Sequence, residues 1–167
     1  MWQTVDMLEW AVAECAEGVC LRFTASPVGL RAIDLRLGDA PRGEPASGNR
    51  LIAVAVEQMR AYFAGKLRQF DLPLDPKGTE FQLSVWRELE TIPFGEIRSY
   101  SQIALAIGNR KAVRAVGAAN GANPLPIVVP CHRVIGSSGK LVGYGGGLPL
   151  KHRLLELEGC SPTLFRL

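Results

Sequence analysis

A chain of 167 residues is long enough to bury an ordinary core, as one domain or two small ones, and its 47% hydrophobic and 21% charged content excludes a disordered or fibrous protein. Its apolar runs are broken by charge, and the start Met1-Trp2-Gln3-Thr4-Val5-Asp6 lacks the basic residues and continuous apolar stretch of a secretion signal; no membrane partner is expected, and the expected location is the cytoplasm. The net charge of +3 hides an asymmetry, because residues 1–76 carry 8 Lys or Arg against 10 Asp or Glu whereas residues 77–167 carry 11 against 6, so the basic excess that suits a polyanion lies in the second part.

Taken in order, the first sixteen residues mix helical and strand character. Residues 19–26 read as a strand, Pro27-Val28-Gly29 as a turn and residues 30–37 as a second strand, which together predict a hairpin. Residues 38–48, with Pro41, Gly43, Pro45 and Ser47, show no periodicity and predict a loop. Asn49 then caps a helix whose apolar positions Leu51, Val54, Ala55, Met59, Tyr62 and Phe63 recur at helical spacing, and Gly65 ends it. Residues 70–78, containing Pro73 and Pro76, predict an extended connector, so the expected domains are 1–76 and 77–167.

The second part is punctuated more sharply. Thr79-Glu80-Phe81-Gln82 is a capping box for a helix over residues 80–91, which Pro93-Phe94-Gly95 breaks. Ser99-Tyr100-Ser101-Gln102 is a second capping box, opening a short helix to Ile107 that Gly108 stops. Asn109 is the expected cap of a third helix over residues 110–120, and two short helices around Gly108-Asn109 have the form of a helix-turn-helix. On that third helix Arg110 and Arg114 stand four apart, with Lys111 beside them, so their guanidinium groups are expected to share a sector and meet phosphate. The small residues Ala115, Gly117, Ala118, Ala119, Gly121 and Ala122 permit close approach of a backbone, to nucleic acid or to a packed helix. A final helix has Pro149 at its start, Leu154, Leu155 and Leu157 on its buried face, Glu158 in its last turn and Gly159 at its stop.

Between these elements lies the chemistry. Pro124, Pro126 and Pro130 fix the backbone around the apolar run Leu125 to Val129, which closes on Pro130-Cys131-His132-Arg133. A cysteine at the mouth of a buried run, with an imidazole beside it and the glycine-rich tract 136–147 after it, has the parts of an activated nucleophile, and a third group such as Glu158 is needed to orient the ring. Of the remaining cysteines, Cys15, Cys20 and Cys160, the first two have the choice of beginning a zinc site or pairing with each other, but no second Cys-x-x-Cys follows and both histidines, His132 and His152, lie far along the chain from them, so no metal or other cofactor is expected.

Ser99-Tyr100, Arg114-Ala115-Val116-Gly117, Asn123-Pro124, the run Ile127 to Val134 through Pro130-Cys131-His132-Arg133, Gly143-Tyr144-Gly145-Gly146-Gly147-Leu148 and Leu154 to Gly159 together resemble the O6-alkylguanine-DNA alkyltransferases, collinearly over residues 78–159. The resemblance implies an α/β N-terminal domain of RNase-H-like form, a small antiparallel sheet plus a helix, followed by an α-helical C-terminal domain with a winged-helix-like helix-turn-helix. It implies a monomer, acting cooperatively on duplex DNA in some settings, that takes the alkyl group of O6-alkylguanine, with O4-alkylthymine a further candidate, onto its own Cys131 in a single turnover. His132 is then the base acting through a water, Glu158 its orienting partner, and Tyr100 the proton donor to guanine N3. Arg114 is the finger that fills the gap left by the flipped base, with Tyr100, Ser101, Arg110 and Ser137 as further DNA contacts. Asn123 braces the helix against the active-site turn, while Val134, Tyr144, Gly145 and Gly146 wall the substrate pocket. Gly145 departs from the serine or alanine of many relatives, which removes a side-chain hydroxyl, and Arg110 stands where proline is common.

Competing expectations are a non-catalytic lesion binder, whose relatives replace the cysteine, a helix-turn-helix transcription factor with an incidental cysteine, and a cysteine hydrolase.

Overall fold

The structure is a computed structural model, and it describes residues 7–39 and 43–160. The chain divides between Lys77 and Gly78 into two units. Met1 to Asp6 and Pro41, on which two of the expectations above rest, lie outside the described residues.

The first unit is built on β1 (Glu9–Ala16), β2 (Val19–Ala25) and β3 (Leu30–Asp34). β2 is the middle strand, antiparallel to both neighbours, and its central position explains why nearly every residue in it is buried. The stretch that mixed helical and strand character is β1 from Glu9 onward; its Ala and Glu residues favour helix in isolation, and pairing with β2 overrides that preference. β3 stops at Asp34, three residues short of expectation, because the buried Arg22 guanidinium draws the chain away into a turn by donating to the Gly38 carbonyl at 2.8 Å and the Asp39 carbonyl at 2.9 Å. The expected loop contains β4 (Glu44–Pro45), which pairs parallel to β1, so the sheet is mixed rather than wholly antiparallel. Two residues are too few to leave a periodic trace.

Helix α1 (Arg50–Phe63) starts where Asn49 Oδ1 accepts the Ile52 N–H at 3.0 Å. Its buried stripe is Ile52, Ala55, Met59 and Tyr62, while Leu51 and Val54 are half-buried. The helix packs on β1 and β2, in which Leu21 and Phe23 are also buried. The proline-containing segment after α1 is extended as expected and is bound to this unit: Leu30 and Leu74 form a bridge, and Asp75 accepts from Ser26 Oγ at 2.6 Å and Arg31 Nη2 at 2.6 Å.

The second unit opens with α2 (Glu80–Glu90), whose Thr79–Gln82 capping box is formed in both directions. Val85, Trp86 and Leu89 are its buried face, and Trp86 Nε1 donates to the Ala119 carbonyl at 2.9 Å. Next come β5 (Arg98–Ser99) and α3 (Tyr100–Ala106), with the second capping box, Ser99–Gln102, also formed in both directions. α4 is Val113–Gly121, so the third helix begins three residues later than expected and Asn109 does not cap it. The reason is the end of α3. Gly108 takes φ +77° and the Asn109 N–H closes α3 on the Ala104 carbonyl at 2.9 Å, while the Asn109 carbonyl accepts the Ala112 N–H at 3.0 Å, so a separate turn over residues 109–112 stands ahead of α4. Arg110 and Lys111 therefore sit in the turn ahead of α4, not on a shared helix face with Arg114.

A 3₁₀ turn over Cys131–Arg133 leads into β6 (Val134–Ile135), and the unit ends with α5 (Leu148–Leu157), in which Pro149 occupies the first turn. β5 and β6 pair in parallel, Arg98 with Val134 and Ser99 with Ile135. This two-residue pair has a large effect on placement, because Tyr100 immediately follows β5 and the Cys131 turn immediately precedes β6. Ile135 of this pair, Leu141, Leu155 and Cys160, with Ile97 against them, form an apolar cluster.

Candidate active site

The segment before the cysteine is built to hold it still. Asn123 Nδ2 donates to the Val129 carbonyl at 2.8 Å while its Oδ1 accepts the Leu125 N–H at 3.0 Å, closing the proline-rich loop on itself. Inside that loop Ile127 has φ +75°, a left-handed backbone that a β-branched residue adopts at a cost of about 1–3 kcal/mol and keeps only where its surroundings impose it. The Cys131 N–H bonds the Val129 carbonyl at 2.8 Å, and Asn120, on α4, donates to the Cys131 carbonyl at 3.4 Å. Bracing between α4 and the turn thus comes from Asn120, with Asn123 securing the loop between them.

Cys131 and His132 are both buried. His132 Nε2 lies 2.7 Å from Glu158 Oε1, and its Nδ1 is buried without a hydrogen-bond partner in the structure. A ring that donates from Nε2 to a carboxylate presents a bare lone pair at Nδ1, the form required of a base. Glu158 is also gripped by Arg133, through Nε to Oε2 at 2.8 Å and Nη2 to Oε1 at 3.0 Å, and the Gly95 N–H reaches Oε2 at 3.3 Å. The Arg133 Nη1 donates to the Ile92 carbonyl at 2.5 Å, and its guanidinium lies over the Phe94 ring at 5.9 Å from the centroid. Glu158 is the residue that caps the C-terminus of α5, where the helix dipole is unfavourable to an anion, and these donors hold it there.

The protonation states follow from burial. Burial pushes the Cys131 thiol up, opposed by a hydrogen bond from Asn123, the Lys151 charge and the backbone N–H groups of the turn. It pushes His132 down, opposed by the Glu158 hydrogen bond and charge. The resting pair is therefore a thiol beside a neutral imidazole, with the Glu158 charge met by Arg133. Tyr100 is likewise raised by burial and next by the Cys131 charge, so its phenol keeps its proton; the hydroxyl donates to the Val142 carbonyl at 3.4 Å.

The structure thus brings together Cys131, His132, Glu158, Tyr100 and Asn123. The pocket residues lie on the segments next to them: Val134 is buried and its carbonyl accepts from Lys151 Nζ at 2.7 Å. Tyr144 and Gly146 are half-buried and Gly145 is exposed, with nothing within 4 Å of where a Cβ would stand. Arg110, Arg114, Ser101 and Ser137 are exposed and stand apart from the buried cluster, with Ser101 Oγ 2.8 Å from Ser99 Oγ.

Three residues of the site escaped the sequence reading. Arg133 and Asn120 left no signal beyond their neighbourhood. Lys151 did leave one, since Lys151, Leu154, Leu155 and Glu158 follow the spacing of a single helix face, and all four are buried. Among the described residues no group of three or more His, Cys, Asp or Glu side chains is placed to hold a metal ion, and no helix is long and apolar enough to cross a membrane.

Residues 80–160 match the family described as 6-O-methylguanine DNA methyltransferase, DNA binding domain. A methylated-DNA--protein-cysteine methyltransferase of Mycolicibacterium paratuberculosis is 52% identical over 165 residues, 95% of this chain and 99% of that one. One from Methanosarcina acetivorans is 61% identical over 105 residues, 63% of this chain and 67% of the other. Among solved structures, Mycobacterium tuberculosis OGT in complex with DNA superposes with a TM-score of 0.84 at 46% identity, covering 93% of this chain and 96% of that one. With this likeness running through nearly the whole of both chains, and with Cys131, His132 and Glu158 joined in one buried cluster, the protein belongs to the methylated-DNA--protein-cysteine methyltransferase family.

Proposed function

We propose that the protein repairs duplex DNA by moving the alkyl group of O6-alkylguanine onto Cys131, once per molecule. The observation that carries this reading is the buried Cys131 turn with a neutral His132 whose Nδ1 is open and whose Nε2 is fixed by Glu158 at 2.7 Å. An alkyl aryl ether is a weak electrophile, so the attack needs a thiolate. The Cys131 proton passes through a bridging water to His132 Nδ1, and the thiolate forms the S–C bond as the C–O6 bond breaks. Guanine leaves with that electron pair and takes a proton at N3 from Tyr100, which neutralises the charge developing on the base. The thioether has no route back, so each molecule acts once.

A base inside the duplex cannot present O6 to a buried sulfur; it is flipped, at a cost of a few kcal/mol. Arg114, exposed at the start of α4, fills the gap, and the α3–α4 pair, read as a winged-helix-like helix-turn-helix, supplies the DNA contacts with Tyr100, Ser101, Arg110 and Ser137. Val134, Tyr144, Gly145 and Gly146 then wall the guanine, and the sheet and helix of the first unit are read as RNase-H-like. DNA as partner is supported by the DNA-bound relative and by the basic excess after residue 77. The test is intact mass before and after mixing with excess duplex containing O6-methylguanine, repeated with Cys131→Ala. One methyl per molecule, mapped to Cys131 and absent from the variant, is the expected result; lesion binding with no mass change would replace transfer by sensing.

A further inference from the structure

One buried charge takes no part in the transfer step set out above. Lys151 lies on α5, a turn before Leu154 and Leu155, and is wholly buried. Its Nζ donates to the Val134 carbonyl at 2.7 Å and the Val142 carbonyl at 3.2 Å, and among the described residues no carboxylate pairs with it. An amine taken out of water with only carbonyls for partners is an expensive group to retain as a cation. Burial lowers its pKa to about 8, which leaves it mostly charged at neutral pH.

The charges around it sort into one surplus. The turn contributes Cys131 as a thiol, His132 as a neutral ring and Arg133 as a cation; α5 contributes the Glu158 carboxylate, which Arg133 takes up; α3 contributes a protonated Tyr100. Lys151 is the positive charge left over. The two carbonyls it holds belong to the segments that carry the chemistry: Val134 directly follows the Cys131 turn, and Val142 lies in the glycine-rich tract and also accepts from the Tyr100 hydroxyl. An anion that appears at Cys131 during the reaction meets this charge.

We propose that Lys151 is an electrostatic positioning residue of the transfer reaction, supplying the counter-charge for the Cys131 thiolate while holding the turn and the glycine-rich loop together. The proposal rests on Cys131 being the acceptor. Its expected consequence is a pH signature. The cation favours the thiolate below about pH 8 and gives nothing above it, where the amine itself is neutral.

The experiment is the single-turnover rate of methyl transfer from excess O6-methylguanine duplex, from about pH 6.5 to about pH 9, for the natural protein, Lys151→Met and Lys151→Gln, with folding checked by circular dichroism and duplex affinity measured beside it. Gln keeps donors for the carbonyls and drops the charge, so it serves if Met does not fold and separates charge from scaffolding. Each unit by which the Cys131 pKa rises is a tenfold loss of thiolate, so both variants are expected to be about tenfold or more slower at neutral pH, with unchanged duplex affinity. The deficit is expected to shrink as pH climbs past about 8. Equal rates, or a deficit independent of pH, overturn the proposal. If the natural protein places no methyl on Cys131, the acceptor reading fails and the proposal with it; transfer by the natural protein with no charge dependence sinks the Lys151 role alone.

Discussion

Glu158 shows how one carboxylate fixes two neighbours at once, since it orients His132 through Oε1 and neutralises Arg133 through both oxygens. Replacing it with Gln leaves the Arg133 cation buried without an anion, which is expected to destabilise the protein by about 3–5 kcal/mol in urea unfolding and to slow methyl transfer together. His132 makes a second prediction at this scale. Burial holds its folded pKa below the ordinary imidazole value, so the folded protein resists protonation more than the unfolded chain does. Its share of stability is present above about pH 6.5 and is lost as pH falls toward the folded value. Likewise the acid limb of the transfer rate is expected to lie below about pH 6.5; a limb at or above that pH would show a ring that is exposed or already charged. Lys151 behaves in the opposite range. Its folded pKa of about 8 lies under the ordinary lysine value of 10.5, so the unfolded chain binds more protons between these values and stability should rise with pH there, by up to about 3 kcal/mol. Buried thiols with raised pKa values, Cys131 and Cys15, pull the other way, so the difference between the natural protein and Lys151→Met, measured by urea unfolding at each pH, isolates the lysine. No difference in slope would mean that the fold does not lower the pKa of this amine.

At the scale of elements, what the sequence announced depended on whether a local signal controlled the outcome. Both capping boxes formed as written, because their bonds are made within four residues and need no tertiary partner. The start of α4 was misplaced because Asn109 carries the signature of a cap but stands in a turn of its own: its N–H returns to the Ala104 carbonyl and its carbonyl takes the Ala112 N–H, so the helix starts only after that turn, which residue type does not reveal. β1 was illegible for a different reason: pairing, not propensity, makes it a strand. In the site, Cys131, His132 and Glu158 could be named from motif, whereas Arg133 and Asn120 act through contacts with elements remote in sequence, Ile92 and the Cys131 carbonyl. The end of α5 tests the same logic. Gly159 has φ +79°, the Cys160 N–H returns to the Leu155 carbonyl at 2.9 Å, and the residue just before this stop is Glu158. Gly159→Ala meets no steric obstacle in its surroundings, so its expected cost of about 1 kcal/mol is backbone strain alone. Because that strain falls on the carboxylate's own neighbour, transfer is expected to slow by more than the stability change implies; a variant as fast as the natural protein would show that the Arg133 and His132 bonds suffice to place Glu158.

For the whole molecule, the proposed transfer makes the reaction product a different protein from the reactant. Cys131 sits at 4% exposure in a turn whose backbone is held by Val129 and Asn120 and whose approach includes the strained Ile127. A methyl group added to that sulfur enters space bounded by side chains already packed, and overpacking of this kind costs about 1–3 kcal/mol. The methylated protein is therefore expected to melt lower than the unreacted one by several degrees, and more so when the transferred group is larger. Differential scanning calorimetry before and after stoichiometric methylation reads this directly. A melting temperature that does not change would show that the turn has room for the product, and would place the strain at Ile127 in the loop itself rather than in the service of a tight pocket.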